Sequence, residues 1–406
     1  MSKEKILLFF TDSFPYNRFE PYIEEETELL SLNFDKIYVF PININHHEKR
    51  NVPDNFKVVD IHNKITGNFK YLIKYSKYLF EALYLEYNPL GIIKNNKNQS
   101  LRKTSLKSNL TSIYNGLCYA HAIKTFIKDN IDSSNSFITG YSYWYYQWSL
   151  INAIMRKMNI LNYSITRAHS YDLYDEIKYN LFSEFKIRSL DKVLPVSIHG
   201  EKYLKDKHPN LKYKIHKNYL GTNNYGINPL IDSNKKVICS CSTIRDIKRI
   251  HLIIEILKEI NDEVTWIHFG DGPLFKTIYN LAKELPDNIK YMLIGHKPNE
   301  YILNYYSNNQ INLFINVSEK EGLPVSLMEA ISFGIPVLGT DIFGVSEIVN
   351  DSTGILINKD FNITNVANTI KSFFNSHLNT NEFRLGVRNY WKHNFSRKKN
   401  FKELFK

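Results

Sequence analysis

Two successive series of short apolar strands, each strand separated from the next by a helical pattern, constrain this chain more than any other feature. In the first series strand patterns run over 6–10, 36–41, 56–61, 136–139, 163–166 and 192–196. A helix is predicted over 21–32 and a long helical stretch over 69–128, broken by a polar region at 94–112. The second series gives strands over 237–241, 264–269, 289–294, 312–317, 336–339 and 354–357. Apolar strands alternating with helices predict a parallel sheet covered on both faces. A stretch rich in Asn and Gly over 216–233 parts the two series, and 406 residues are long for a single core. The expected fold class is therefore α/β, with two doubly wound domains facing a central crevice. The first spans 1–215 and the second 216–380, with a helical segment over 381–406. No repeat of fixed period is visible.

Composition narrows the class. The chain is 43% hydrophobic and 23% charged, ordinary for a folded domain. No apolar run approaches the ~20 residues of a membrane span. Residues 1–5 form a charged lead into a strand without a signal-cleavage pattern, so a cytoplasmic protein with no anchor of its own is expected. Three cysteines (Cys118, Cys239, Cys241) make neither a disulfide framework nor a zinc cluster, and Cys239 and Cys241 alternate on a strand that reads as buried.

The net charge of +11 is unevenly placed: residues 1–220 carry 31 Lys and Arg against 22 Asp and Glu. Nine bases lie within 64–107 against only Glu81 and Glu86, interleaved with aromatic residues. Lys70, Lys74 and Lys77 recur at helical spacing and define a basic face. Anionic lipid attracts such a face by about 1 kcal/mol per base, so peripheral contact with the inner face of the plasma membrane is one reading. A solvated face in a lysine-rich protein is the other. Nucleic acid is not expected as a partner, because no recognition motif accompanies the charge.

Chemistry concentrates in Glu321-Gly322-Leu323-Pro324-Val325-Ser326-Leu327-Met328-Glu329. Two carboxylates eight positions apart bracket a Gly-Leu-Pro turn that leaves an apolar strand and opens a helix. Pro324 suits a helix start, where its fixed φ is helical and its missing N–H is no loss. The free amides there and their partial positive charge offer an anion site. Glu321 precedes that site and Glu329 lies about two turns beyond it. A nucleoside-diphosphate sugar has the matching shape: a ribose diol, a diphosphate, then a sugar.

This stretch resembles the signature of the family 4 retaining glycosyltransferases of the GT-B fold, E-G-x-P with a second Glu in the E-x7-E pattern. Ser332-Phe333-Gly334-Ile335-Pro336-Val337 and Gly344-Val345-Ser346-Glu347-Ile348-Val349 extend the likeness through most of the C-terminal half. The resemblance implies two Rossmann-like domains, with the last helix crossing back to the first. It assigns Glu329 to the donor ribose, Glu321 to the transferred sugar and Gly322, Leu323, Pro324, Val325 and Ser326 to the diphosphate. In the loop after the strand at 237–241, Lys248 matches a family Lys that neutralises the diphosphate. The family Arg is replaced by Thr243, and either Arg245 or Arg249 is left to take its place. Gly295-His296-Lys297 matches a turn near the nucleobase. In the first domain, His169 matches a His that reaches the transferred sugar, followed by Asp172.

Tyr143 and Trp144, after the preceding strand, are read either as aromatics that stack on a sugar ring or prenyl chain or as core. The loop from Ser13 to Glu20 replaces the family's glycine-rich turn and points to a specialised acceptor site. No Asp-x-Asp pair occurs; cations and a helix start are expected to serve the diphosphate, with no metal and no cofactor beyond the nucleotide-sugar co-substrate, a UDP-sugar first among candidates. The expected activity is retaining transfer to a glycan or polyprenyl-diphosphate-linked acceptor in bacterial surface polysaccharide synthesis. Rival expectations are a sugar-nucleotide epimerase or hydrolase and a catalytically silent subunit of a partner transferase.

Overall fold

In the computed structural model, residues 3–16, 20–44, 49–65, 69–87, 106–175, 180–231 and 234–405 are described. The chain forms two compact units, Met1–Asn218 and Tyr219–Lys406. The first holds β1 (Glu4–Thr11), β2 (Lys36–Pro41), β3 (Phe56–Val58), β4 (Ser136–Ser142), β5 (Tyr163–Ala168) and β6 (Lys192–Pro195). The second holds β7 (Val237–Cys241), β8 (Val264–Phe269), β9 (Ile289–Gly295), β10 (Leu313–Asn316), β11 (Val337–Thr340) and β12 (Gly354–Ile357).

Every pair within each sheet is parallel. The strand orders are β3-β2-β1-β4-β5-β6 and β12-β11-β10-β7-β8-β9, which are the same order counted from each unit's first strand. In both, the order reverses beside that strand. Loops leaving the carboxyl ends of β1 and β4, and of β7 and β10, therefore run apart, and such a switch point is where doubly wound sheets take ligands. Between β7 and β10 the pairing covers only Ile238 with Leu313 and Cys239 with Phe314, so beyond it the two strand ends are not paired with each other.

Burial on both faces explains the strand composition: Ile6 to Phe10 of β1 are all buried. In the second unit the helix Ile250–Lys258 turns Ile250, Ile253, Ile254 and Leu257 into one buried stripe at i, i+3, i+4 and i+7. The helix Ile363–Phe374 buries a stripe of Val366, Ala367, Ile370 and Phe373, at i, i+1, i+4 and i+7. Both stripes join one core with Ile238, Trp266 and Leu313 of the sheet. Cys239 lies in the strand interior and Cys241 is half-buried at its end, while Cys118 is buried elsewhere.

The helical stretch after β3 is three helices, Phe69–Lys74, Ser76–Tyr87 and Leu106–Asn130. The polar break predicted at 94–112 lies outside the described residues up to 105, and the rest belongs to the third helix. β3 is shorter than its apolar run because the Asp60 carboxylate accepts the His62 N–H (2.9 Å) and turns the chain. The C-terminal segment is two helices, Asn381–Asn394 and Arg397–Leu404. They part at Phe395 and Ser396, where Thr222 accepts from the Arg397 amide and donates to the Phe395 carbonyl. Buried Arg384 donates to the Ile311 carbonyl (2.9 Å), and Trp391 Nε1 donates to Thr222 Oγ1 (2.8 Å), so the first of these helices is pinned within the second unit. Among the described residues, no helix is long and apolar enough to cross a membrane.

Candidate functional site

The β7/β10 switch point gathers residues that lie far apart in sequence. After β7 a short 3-10 turn, Asp246–Lys248, brings the Lys248 ammonium onto the Glu321 carboxylate that follows β10. The same Glu321 oxygen accepts the Ser318 hydroxyl (2.8 Å) and the Asn316 amide (3.4 Å). Both partners of the ion pair are mostly shielded, with side chains 18% and 12% exposed. Ser318, Asn316, Ser242 and Lys248 line a small pocket here. The Ser242 hydroxyl is buried with no hydrogen-bond partner among the described residues. Neither Ser242 nor Asn316 stands out in the sequence, since a polar residue at a strand end is unremarkable until the opposing strand is known.

The helix Val325–Ser332 starts beside this cluster. Pro324 stands just before the first helical residue, at φ −69° and ψ 117°, and no side chain caps the amides that follow. Leu323 is buried, and the turn is clamped from behind: the Gly344 amide donates to the Gly322 carbonyl (3.0 Å). A Cβ on Gly344 would stand 2.5 Å from that oxygen, so only glycine allows the approach. About one turn into the helix, rather than the two expected from the sequence because the helix begins only at Val325, Glu329 is buried and accepts from Asn299 Nδ2 (3.0 Å), and burial pushes its carboxyl up to about 7. Asn299 begins the helix that follows Gly295, His296 and Lys297, which ties Glu329 to that turn. His296 is exposed, and the Lys297 ammonium sits over the Tyr301 ring (5.3 Å). The turn is held in place because the Gly270 amide donates to the Gly295 carbonyl (2.9 Å).

The two arginines offered for the family cation have different surroundings. Arg249 has a left-handed backbone (φ 50°), and its guanidinium donates to the carbonyls of Val317 (2.7 Å), Lys359 (3.0 Å) and Ser318 (3.4 Å). It clasps the loop that carries Glu321. Arg245 is exposed and forms no ion pair among the described residues, and Thr243 is also exposed. Arg249→Ala should therefore lower thermal stability by about 2–4 kcal/mol, since several charge-assisted hydrogen bonds are lost. On the donor-binding expectation, Arg245→Ala should leave the melting temperature in place and weaken nucleotide binding. Melting curves and calorimetric titration of the two variants decide, and the reverse pattern would reassign the pair.

The first unit carries its own cluster at the ends of β4 and β5. His169 follows β5, with its ring stacked on Tyr143 (centroids 5.1 Å, 24° apart) and 4.6 Å from the Trp144 ring. Both of its ring nitrogens are buried with no hydrogen-bond partner among the described residues. Burial, with the Arg167 charge nearby, pulls its pKa down to about 3. The imidazole is neutral at physiological pH and suited to hydrogen bonding rather than proton donation. Arg167 is itself paired with buried Glu26 (2.6 Å).

Asp172 accepts the backbone N–H of His169 (2.6 Å) and of Tyr145 (2.5 Å), and burial pushes its carboxyl up to about 7. It is 1% exposed and so shapes the loop from within. Tyr143, weighed in sequence as a possible exposed platform, is fully buried beneath His169 because the ring packs on Phe9 and Tyr141 of the sheet. Trp144 is the half-exposed member of the pair.

Two doubly wound parallel sheets of one strand order, each with its switch point, constitute a two-domain GT-B fold. Residues 224–390 match the family described as glycosyl transferases group 1. The chain is 31% identical over 129 residues to the N-acetyl-alpha-D-glucosaminyl L-malate synthase of Bacillus anthracis, covering 31% of this chain and 33% of that protein. The matched stretch thus spans about a third of that relative's length. Among solved structures it resembles HepE of Anabaena in complex with UDP, with TM-score 0.65 and 14% identity, covering 98% of this chain and 97% of that one. It also resembles the lipopolysaccharide outer core galactosyltransferase WaaB, with TM-score 0.63 and 14% identity, covering 99% of each chain.

Proposed function

We propose that this protein is a retaining glycosyltransferase that moves a sugar from a nucleoside-diphosphate sugar, a UDP-sugar in the first instance, to a glycan or polyprenyl-diphosphate-linked acceptor of a bacterial surface polysaccharide. The observation that carries this is the Lys248–Glu321 pair beside the uncapped start of the helix Val325–Ser332, with Glu329 buried about one turn on. The relatives support the choice of class, and WaaB the polysaccharide setting.

In this reading the diphosphate lies on the helix start and takes Lys248 from Glu321. The ribose diol donates to Glu329. As the glycosidic bond breaks, charge gathers on the leaving phosphate, where the ammonium and the fixed amides are already aimed. Glu321, released from Lys248, serves the transferred sugar; in the first unit, neutral His169 is assigned to hydrogen bonding with a sugar hydroxyl. No side chain is assigned as a covalent nucleophile, so the acceptor hydroxyl attacks on the face the diphosphate leaves and passes its proton to that phosphate. Lys248 and the amides are assigned the charge that a metal supplies in other transferases.

Calorimetric titration with UDP, other nucleoside diphosphates and their sugars, with and without chelator, tests the donor site. Micromolar binding of one nucleotide, indifferent to chelator and lost in Lys248→Ala, is expected. Failure of every nucleotide to bind would favour the silent-subunit reading, and donor turnover without acceptor would favour the hydrolase.

Membrane contact belongs to the same proposal. Ile73 and Phe80, each 68% exposed, stand on the two helices that carry Lys70, Lys74 and Lys77. Apolar side chains beside ammonium groups suit the boundary between anionic headgroups and acyl chains. Replacing the three lysines by alanine should weaken sedimentation with phosphatidylglycerol vesicles about a hundredfold, at about 1 kcal/mol per base. Equal binding of the variant, or equal binding of the parent to neutral vesicles, would remove the membrane from the proposal.

A further inference from the structure

The loop that leaves β1 at the first unit's switch point aims three consecutive backbone amides at one place, and that place is filled by the chain itself. Glu20, 4% exposed, accepts the N–H groups of Asp12 (3.1 Å), Ser13 (2.8 Å) and Phe14 (2.7 Å). Successive amides converging on one point form an anion cradle, and at a switch point such a cradle ordinarily faces ligand. The Glu20 oxygen that takes the Asp12 amide also accepts the indole N–H of Trp144 (2.5 Å). That ring lies 4.6 Å from His169. The backbone of Glu20 is left-handed (φ 61°), a conformation that costs a non-glycine residue about 1–2 kcal/mol. The Arg50 guanidinium holds it there by donating to the Glu20 carbonyl (3.2 Å).

We propose that Glu20 is a positioning and specificity residue: its carboxylate is the resident anion of the β1 loop and fixes Trp144 beside His169, so that the part of a ligand met here is an uncharged, hydroxyl-bearing sugar rather than a phosphate. The amides that would bind a phosphate are already satisfied, and a second anion at the loop would face the carboxylate at close range. The indole, tied through its N–H, cannot turn away and forms a fixed wall beside the imidazole. The loop is braced independently by Tyr146, whose hydroxyl donates to Asp12 (3.0 Å), and by Trp148, whose indole donates to the Thr11 carbonyl (2.7 Å). Its shape therefore survives removal of the Glu20 side chain. The assignment to a sugar rests on the transferase reading, whereas the assignments of the cradle and of Trp144 do not.

Glu20→Ala empties the cradle, and inorganic phosphate is the probe. Wild type, Glu20→Ala, Trp144→Phe and the double variant are titrated with phosphate by calorimetry, and the emission of the four tryptophans is recorded. Glu20→Ala should bind phosphate about tenfold or more tightly than wild type, the worth of one charge-assisted hydrogen bond. Its emission should shift, formate should reverse the shift, and the shift should vanish in the Trp144→Phe background. Phosphate affinity equal to wild type, or an emission shift that persists without Trp144, overturns the proposal. Should Glu20→Ala not fold, Glu20→Gln keeps the side chain's volume and sets an amide against the donors; it must still shift the Trp144 emission, and an unchanged spectrum overturns the proposal equally. UDP titration of the same samples is the control: if wild type binds no nucleotide, the transferase reading fails while the phosphate and emission results still decide the role of Glu20.

Discussion

In the proposed transferase, replacing Lys248 by alanine should lower the rate of sugar transfer by about two to three orders of magnitude, the usual cost of deleting one fixed donor aimed at transition-state charge. The structure gives a reason for the upper end. Lys248 and Glu321 are in contact, and both are mostly shielded. With the ammonium gone, the carboxylate keeps the Ser318 and Asn316 hydrogen bonds but faces an incoming diphosphate with no cation to offset it. Donor affinity and rate should therefore fall together. Lys248→Arg restores charge but sets a planar fork where a compact ammonium fits, so it should recover binding more than rate. Steady-state release of nucleoside diphosphate, with donor concentration varied, separates the two. A rate within about threefold of wild type would take Lys248 out of the chemistry, because deletion of a transition-state donor typically costs about a hundredfold or more.

The second large effect falls on Glu329, and its sign depends on pH. The carboxyl sits at about 7 in the folded protein against an ordinary 4.5, through burial. Between those values the folded protein holds a proton that the unfolded chain has released. Stability is thus greatest below the lower value and is lost as pH rises through the window, by about 3 kcal/mol once pH exceeds 7. Glu329→Gln removes that loss and should raise the melting temperature at pH 8 by several degrees. The same change should weaken nucleotide binding roughly tenfold to a hundredfold, since a carboxylate accepts from two vicinal hydroxyls more strongly than an amide does. In the parent, affinity should decline as pH falls below about 7, because hydroxyl donors favour the ionised form; in the variant it should be flat. Calorimetry from pH 5.5 to 8.5 and melting curves at the two ends read both effects. Loss of stability together with affinity at pH 8 would make Glu329 a structural group.

The alternating architecture was legible because burial on both faces writes each strand as an apolar run. The runs at 237–241 and 264–269 coincide with β7 and β8, and 36–41 with β2. Glu321 stands out in sequence because the turn and helix start around it are local chemistry, whereas Lys248 is picked out only by the family resemblance. What was not legible depends on who meets whom in space. Arg249 and Arg245 are interchangeable in sequence, and only the carbonyls of Val317, Ser318 and Lys359 set them apart. Tyr143 and Trp144 are neighbours just past β4, yet packing on Phe9 and Tyr141 buries one ring while the next is half-exposed. Glu20 gives no sign in sequence that its carboxylate turns back eight residues to fill a loop, nor does Glu26 of its buried partner Arg167. The break at Phe395 is likewise written in a distant residue, Thr222.

The repeated strand order has a consequence for how such a protein changes over time. Each sheet has its own reversal point and its own loops, built from separate stretches of chain and supported by separate cores. A substitution that reshapes the β1 and β5 loops leaves the hydrogen bonds around Glu321 and Glu329 as they are, and the converse holds. The two ends of a reaction are thereby uncoupled as targets of mutation. One half can acquire a new partner molecule while the other keeps an old one, so in the proposed transferase diversity of products can arise from a single inherited means of activating the sugar.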